Sequence, residues 1–100
     1  MDNHHILQSP NDSNQYRYLM LNNGLAVVLV QQDDAEKSAA ALTVNVGHFD
    51  DPANREGLAH FLEHMLFLGS QKYPKAGDYQ QFINHHGGSH NARTGTEHSS

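Results

Sequence analysis

Two histidines and a glutamate stand close together in an otherwise apolar stretch of the sequence, "GLAHFLEHMLFLG" at 57–69. His60 and His64 are four residues apart, so in a helix they lie one turn apart on the same face. That spacing lets two imidazole nitrogens reach one zinc ion at about 2.0–2.1 Å. Glu63 is placed to take a proton from a zinc-bound water rather than to bind the metal. These three motif residues predict a zinc site with its own general base, although a histidine-rich chain can also produce such a match by chance.

A helix is needed to bring the motif residues together, and the sequence predicts one over 58–68. This stretch contains no proline and no β-branched residue, and Leu, Ala, Met and Glu are good helix formers. Asn54 is the predicted N-cap, Glu56 suits the first turn, and Gly69 is the predicted stop.

The predicted helix is apolar over most of its circumference. The motif residues share one face with Phe67, and the other face is covered by Leu58, Phe61, Leu62, Met65 and Leu66. A helix of this kind is normally buried, so we expect the motif residues to lie against protein and not in open water.

Strands are predicted ahead of this helix. "YRYLMLNNGLAVVLVQ" reads as a hairpin whose turn is Asn22-Asn23-Gly24, because these residues tolerate positive φ. The alternation in "AAALTVNVG" predicts a third, half-buried strand around Val44.

A second helix is predicted after Pro74. Tyr79, Phe82 and Ile83 form its apolar stripe, which we expect to be part of the core, and Gly87-Gly88 ends it.

Other acidic and histidine pairs admit ordinary explanations beside chemical ones. Asp50-Asp51 could serve acid–base chemistry, but their place before a proline favours turn and capping roles. His85-His86 suit a helix C-terminus without any metal. His4-His5 could touch a metal, but a solvated tail is the simpler interpretation.

Composition limits the classes of function. A net charge of −5 with six scattered Lys and Arg gives no basic patch, so nucleic-acid binding is not expected. The absence of cysteine excludes disulfides and Cys-ligated metals. No apolar run is long enough to span a membrane, and "MDNHHILQSPNDSNQ" lacks signal-peptide features, so a cytoplasmic location is expected. Residues 1–15 are predicted to be a flexible lead-in.

Several segments match one known family in the right order. "GLAHFLEHMLFLGSQKYP", "FINHHGGSHNARTGTEHSS", "LNNGLAVVLV" and "AALTVNVGHFDDPANREGLAH" closely resemble the insulinase/pitrilysin family of zinc metallopeptidases. The order H-x-x-E-H, the reverse of H-E-x-x-H, is the inverzincin signature. The resemblance covers about 16–100.

The resemblance implies a fold and a set of roles. The fold is α+β, an antiparallel-type sheet with helices packed on one face, and 16–100 is the incomplete N-terminal portion of a peptidase catalytic domain. His60 and His64 become Zn²⁺ ligands and Glu63 the general base. The family's third ligand is a glutamate on a later helix, expected beyond residue 100, and Glu97 is not assigned to that role.

The family also implies how substrate binds. An edge strand after the second helix, here 89–94, pairs with an extended peptide, so Asn91 and Ala92 are candidate substrate-binding residues. Asn91 could equally be only a turn residue. Many relatives have phenylalanine where Arg93 stands, which leaves the preference of the adjoining subsite open.

The whole family member closes a chamber with further domains or a partner subunit. The leading hypothesis is therefore a metalloendopeptidase acting on peptides, with this chain carrying the H-x-x-E-H half of the site. The alternative is a non-catalytic fragment or structural partner subunit with weak metal binding. Residues 1–100 alone are expected to be inactive.

Overall fold

The computed structural model describes residues 6–100, so the predicted roles of His4-His5 lie outside the described residues. The elements are strands β1 (Gln15–Met20) and β2 (Ala26–Gln31), a 3-10 turn (His48–Asp50), and helices α1 (Leu58–Leu66) and α2 (Asp78–His85). The combination of antiparallel strands with helices confirms the predicted α+β class. The chain divides into two compact units between Ala39 and Ala40, with the hairpin in the first and both helices in the second.

The hairpin forms as predicted. β1 and β2 pair antiparallel over six residue pairs. Gly24 has φ +85°, and its N–H donates to the carbonyl of Leu21 at 2.9 Å. The Asn23 side chain accepts a hydrogen bond from Leu25 N–H at 3.1 Å. The conformation and hydrogen bonds of the turn residues therefore account for the reversal of chain direction between β1 and β2.

The predicted third strand is reduced to a single pairing. Val44 forms an isolated antiparallel bridge with Ser99, and their backbones exchange hydrogen bonds of 2.8 and 2.9 Å. Leu42 and Val46 form no backbone bridge with any of residues 6–100, and the side chains of both are about half exposed. The prediction of a third strand from the alternating pattern is therefore wrong, because a strand in a sheet needs several consecutive backbone pairs.

The predicted edge strand at 89–94 is likewise wrong in extent. Thr94 forms an isolated antiparallel bridge with Ser99. Arg93 and Ser100 exchange backbone hydrogen bonds of 2.7 and 2.8 Å. Ser99 thus pairs with two separate segments, one at Val44 and one at Thr94, without forming a continuous sheet.

The start of α1 differs from the prediction. Its N-cap is Gly57, with φ +87°, and not Asn54. The Asp51 carboxylate caps the helix from a distance in sequence, accepting hydrogen bonds from Gly57 N–H at 2.8 Å and Ala59 N–H at 2.9 Å. The capping role predicted for Asp51 is confirmed, because free N–H groups at a helix start need an acceptor.

The end of α1 is two residues earlier than predicted. The helix stops at Leu66, and Phe67 is the C-cap, its N–H directed at the carbonyls of His64 and Met65. Glu56 precedes the helix and does not belong to its first turn.

α2 ends as its sequence predicts. His86 is the C-cap and its Nδ1 lies 2.8 Å from the carbonyl of Phe82, while Gly87 takes φ +69°. His85 is in the last turn. Both histidines therefore have a local explanation at a helix C-terminus.

The predicted burial of the two helices is wrong. Residues 6–100 contain no buried hydrophobic side chain, and Phe61, Leu66 and Phe82 are 62%, 70% and 62% exposed. The pattern identifies the apolar face correctly, but a face is buried only where a second layer covers it. None of the helices in this part of the chain is long and apolar enough to cross a membrane.

Candidate metal centre

α1 brings the three motif residues together. His60 Nε2 and His64 Nε2 lie 3.1 Å apart, with ring centroids 4.6 Å apart and ring planes at 84°. One potential ligand atom from each of His60, Glu63 and His64 lies within 4.8 Å of the others. The i, i+4 spacing therefore produces the convergence that the sequence predicts.

The distance between the two nitrogens suits a shared ion. Two ligands bound tetrahedrally to one zinc at about 2.0–2.1 Å lie about 3.3 Å from each other. The observed 3.1 Å is close to that value and also permits one imidazole to donate a hydrogen bond to the other. Two imidazoles beside a carboxylate form a donor set that zinc accepts.

Glu63 is the most enclosed of the three side chains. Its side chain is 13% exposed, against 63% for His60. Glu63 Oε2 lies 3.2 Å from His60 Nδ1, but the contact lacks hydrogen-bond geometry, and within residues 6–100 this solvent-excluded oxygen has no hydrogen-bond partner. A buried carboxylate oxygen without a hydrogen-bond donor is costly, so this atom fits a site completed by a cation or a water.

The expectation that all three residues would lie against protein is wrong for the histidines. His60 and His64 are exposed, and Glu63 alone is partly buried. The cause is the same as for the apolar face of α1, since the described residues supply no layer over this side of the helix.

Asp51 fixes the start of the helix that carries the motif. Its pKa is lowered chiefly because Ala59 N–H donates to the carboxylate, and the hydrogen bonds of Gly57 N–H and His48 lower it further against the opposing effect of burial. Ala59 immediately precedes His60, so the carboxylate holds the backbone next to the first candidate ligand. The capping role of Asp51 could be predicted from the sequence but its connection to the site could not, because the only local signal was an aspartate before Pro52.

A groove of about 770 Å³ in the second unit brings further predicted site residues beside Glu63, the candidate general base. Its wall includes Glu63, Asn91, Ala92 and Arg93, and most of the remaining lining is apolar. The candidate substrate-binding residues and the candidate base thus share one groove. The two histidines are outside its lining.

Glu97 does not join the metal centre. Among the residues from 6 onward, His60, Glu63 and His64 are the one group of three or more potential metal ligands. Glu97 is exposed in the segment between Thr94 and Ser99.

Known proteins match this chain strongly. Residues 26–100 match the family Insulinase (Peptidase family M16). The chain is 53% identical to "Insulin-degrading enzyme" of Bos taurus over 95 residues, which is 95% of this chain and 9% of that protein. It is 52% identical to "Insulin-degrading enzyme" of Homo sapiens over 94% of this chain and 9% of that protein.

A relative with a different printed name is the "A-factor-processing enzyme" of Saccharomyces cerevisiae, 48% identical over 86% of this chain and 8% of its own length. The chain therefore spans about a tenth of the length of the curated relatives that it matches. With three quarters of its residues matched to the family, and with the motif residues convergent on one helix, this chain belongs to the insulinase family of peptidases.

Proposed function

We propose that this chain carries the H-x-x-E-H half of the active site of a zinc-dependent metalloendopeptidase that hydrolyses peptides. The observation that carries the proposal is the 3.1 Å approach of His60 Nε2 to His64 Nε2, beside the Glu63 carboxylate, whose solvent-excluded Oε2 accepts no hydrogen bond within residues 6–100. Relatives named as insulin-degrading enzymes support peptide hydrolysis as the reaction class.

In this proposal, His60 and His64 hold Zn²⁺ and Glu63 moves the proton. When bound, zinc supplies Lewis acidity, which acidifies a water and polarises the scissile carbonyl. The Glu63 carboxylate accepts a proton from the attacking water as the new C–O bond forms. Glu63 then donates that proton to the amine nitrogen as the C–N bond breaks. Its partial enclosure suits this role, because few waters compete for the proton.

The substrate is proposed to lie along the groove that Glu63 shares with Asn91 and Ala92. Neither Asn91 nor Ala92 has a backbone hydrogen bond to another residue of the described chain, whereas Arg93 is paired with Ser100. An extended peptide could therefore pair with the main chain at 91–92 while its side chains contact the apolar wall.

The proposed site needs groups that residues 6–100 do not supply. A catalytic zinc normally has three protein ligands and a water, and we propose that the third ligand comes from beyond residue 100. Further domains or a partner subunit are proposed to close the chamber. A cytoplasmic location also stays a prediction, and one relative is named "Insulin-degrading enzyme-like 1, peroxisomal".

The exposed histidines favour one alternative, a non-catalytic fragment or structural partner subunit that binds metal weakly. Two imidazoles in open solvent hold zinc less firmly than a closed site with three ligands.

The variant Glu63→Gln in the full-length protein distinguishes the metalloendopeptidase from the non-catalytic alternative. An amide cannot accept the proton of the attacking water, so turnover of a quenched fluorescent peptide should fall by several orders of magnitude while zinc content is retained. Glu56→Gln, outside α1, is the matched control and should leave turnover unchanged. Near wild-type cleavage by Glu63→Gln would refute the general-base role, and a wild-type protein without cleavage would favour the non-catalytic alternative.

A further inference from the structure

Three rings meet beside the groove. The centroid of His90 lies 5.2 Å from that of Phe67 and 5.2 Å from that of Tyr79, and the Phe67 and Tyr79 centroids are 5.9 Å apart. All three distances are in the range in which aromatic pairs attract each other beyond simple area burial. The three rings therefore form a closed cluster, here called the ring cluster.

The ring cluster joins three separate segments of the chain. Phe67 is the C-cap of α1 and stands four residues after Glu63, one turn further along the same face. Tyr79 is in the first turn of α2. His90 directly precedes Asn91. Phe67, Tyr79, Glu63 and Asn91 all line the same groove.

Packing, and not hydrogen bonding, accounts for the position of His90. Its Nδ1 is shielded from solvent and has no hydrogen-bond partner within residues 6–100. An unpaired buried nitrogen opposes folding, so the ring remains there because of its contacts with Phe67 and Tyr79. A phenylalanine would provide a similar ring without the unpaired nitrogen.

The backbone after His90 has few other restraints. Asn91 and Ala92 have no backbone hydrogen bonds to other described residues, and the next fixed point is the pairing of Arg93 with Ser100. On the other side, Gly88 N–H donates to the carbonyl of Ile83 at 2.9 Å. The ring of His90 therefore ties the residue directly before 91–92 to Phe67, at the end of the helix that carries Glu63.

We propose that His90 is a positioning residue, whose ring in the ring cluster fixes the distance between Glu63 and the backbone of Asn91 and Ala92 and so sets how an extended peptide substrate is held. The substrate part of this inference rests on the proposed function. The positional part does not, because it concerns the order of 91–92 in the protein without substrate.

The test uses three variants of the full-length protein with a quenched fluorescent peptide. His90→Ala removes the ring and should raise KM about tenfold with a smaller change in kcat, since a binding segment that is no longer held in place must be ordered when the peptide binds. His90→Gln keeps a polar side chain without the ring and should behave like His90→Ala. His90→Phe restores the ring and should return KM to the wild-type value.

Hydrogen–deuterium exchange at the Arg93 amide, which donates to the carbonyl of Ser100 directly after 91–92, is measured without substrate and makes the result independent of cleavage. Exchange should accelerate in His90→Ala and His90→Gln and stay at the wild-type rate in His90→Phe. An exchange rate unchanged in His90→Ala would overturn the proposal. So would a His90→Phe variant whose KM and exchange rate are altered as much as those of His90→Ala. If His90→Ala misfolds, His90→Phe decides the matter. A wild-type protein that does not cleave would remove the proposed function but leave the exchange result to decide the positional part.

Discussion

The hairpin and the motif-bearing unit of this chain are stabilised in different ways. β1 and β2 form six consecutive pairs around a turn whose residues all lie within a few positions of each other. The second unit, residues 40–100, is joined instead by isolated bridges at Ser99, by the Asp51 cap of α1, and by the ring cluster. Local sequence is sufficient for the first arrangement, whereas the second depends on a few contacts between distant residues.

The largest expected effect comes from testing residues 1–100 on their own. The second unit exposes the apolar face of α1, and His60 and His64 are its two candidate zinc ligands, so this polypeptide should bind zinc weakly, cleave no peptide even with zinc supplied, and tend to aggregate. Isothermal titration with zinc and a peptide-cleavage assay measure this. Tight stoichiometric zinc binding with His60-dependent cleavage would show that Glu97 or another chain had been wrongly excluded as a ligand.

A smaller effect is expected at Asp51, the distant cap of the motif helix. Asp51→Asn in the full-length protein should lower the thermal midpoint and weaken zinc binding, because Gly57 and Ala59 N–H lose a charged acceptor. Asp34→Asn, an exposed loop position, is the control and should change neither quantity. An unaltered midpoint in Asp51→Asn would mean that the cap does not support α1.

The lowered pKa of Asp51 also gives the sign of a pH dependence. A carboxyl whose pKa is lower in the folded than in the unfolded state contributes stability above its unfolded pKa, about 3.9, and loses it as pH falls through the folded value. Denaturant titrations of metal-free protein should show stability falling more steeply below about pH 4 in wild type than in Asp51→Asn. Parallel pH profiles for the two proteins would contradict this assignment.

The smallest effect is expected in the hairpin. Gly24→Ala places a Cβ on a residue with φ +85°, which costs about 1–2 kcal/mol although nothing lies within 4 Å of that Cβ. Gly24→Asn should recover most of the loss, because asparagine tolerates this conformation. Amide exchange in β1 and β2 should report the change, and zinc content should not. A loss of zinc in Gly24→Ala would contradict the prediction that the effect of this substitution is confined to the hairpin.

Sequence was a good guide wherever structure depends on neighbours in the chain. The Asn22-Asn23-Gly24 turn and the convergence of His60 with His64 follow from backbone conformation and helical spacing. The C-terminal role of His85 and His86 follows in the same way.

Sequence failed where structure depends on distant partners. Asn54 had a suitable side chain for a cap, but Asp51 reaches the same N–H groups from an earlier turn. The alternation around Val44 predicted a strand, yet the only backbone bridge in this segment of the described chain joins Val44 to Ser99. The apolar pattern of α1 likewise identifies the face that must be buried but not the residues that bury it.

The same distinction applies to the candidate site. Its helix-borne residues could be predicted from their spacing. The groove that joins Glu63 with Asn91 could not, because it depends on contacts such as the one between His90 and Phe67 that no local pattern specifies.

The most direct test of the metal centre is the zinc content of the full-length protein and of its His64→Ala variant, measured by elemental analysis after identical purification. We expect about one zinc ion per site in wild type, a strong loss in His64→Ala, and wild-type content in the control His85→Ala, whose histidine lies in the last turn of α2. Equal zinc in wild type and His64→Ala would contradict the assignment of His60 and His64 as the metal ligands.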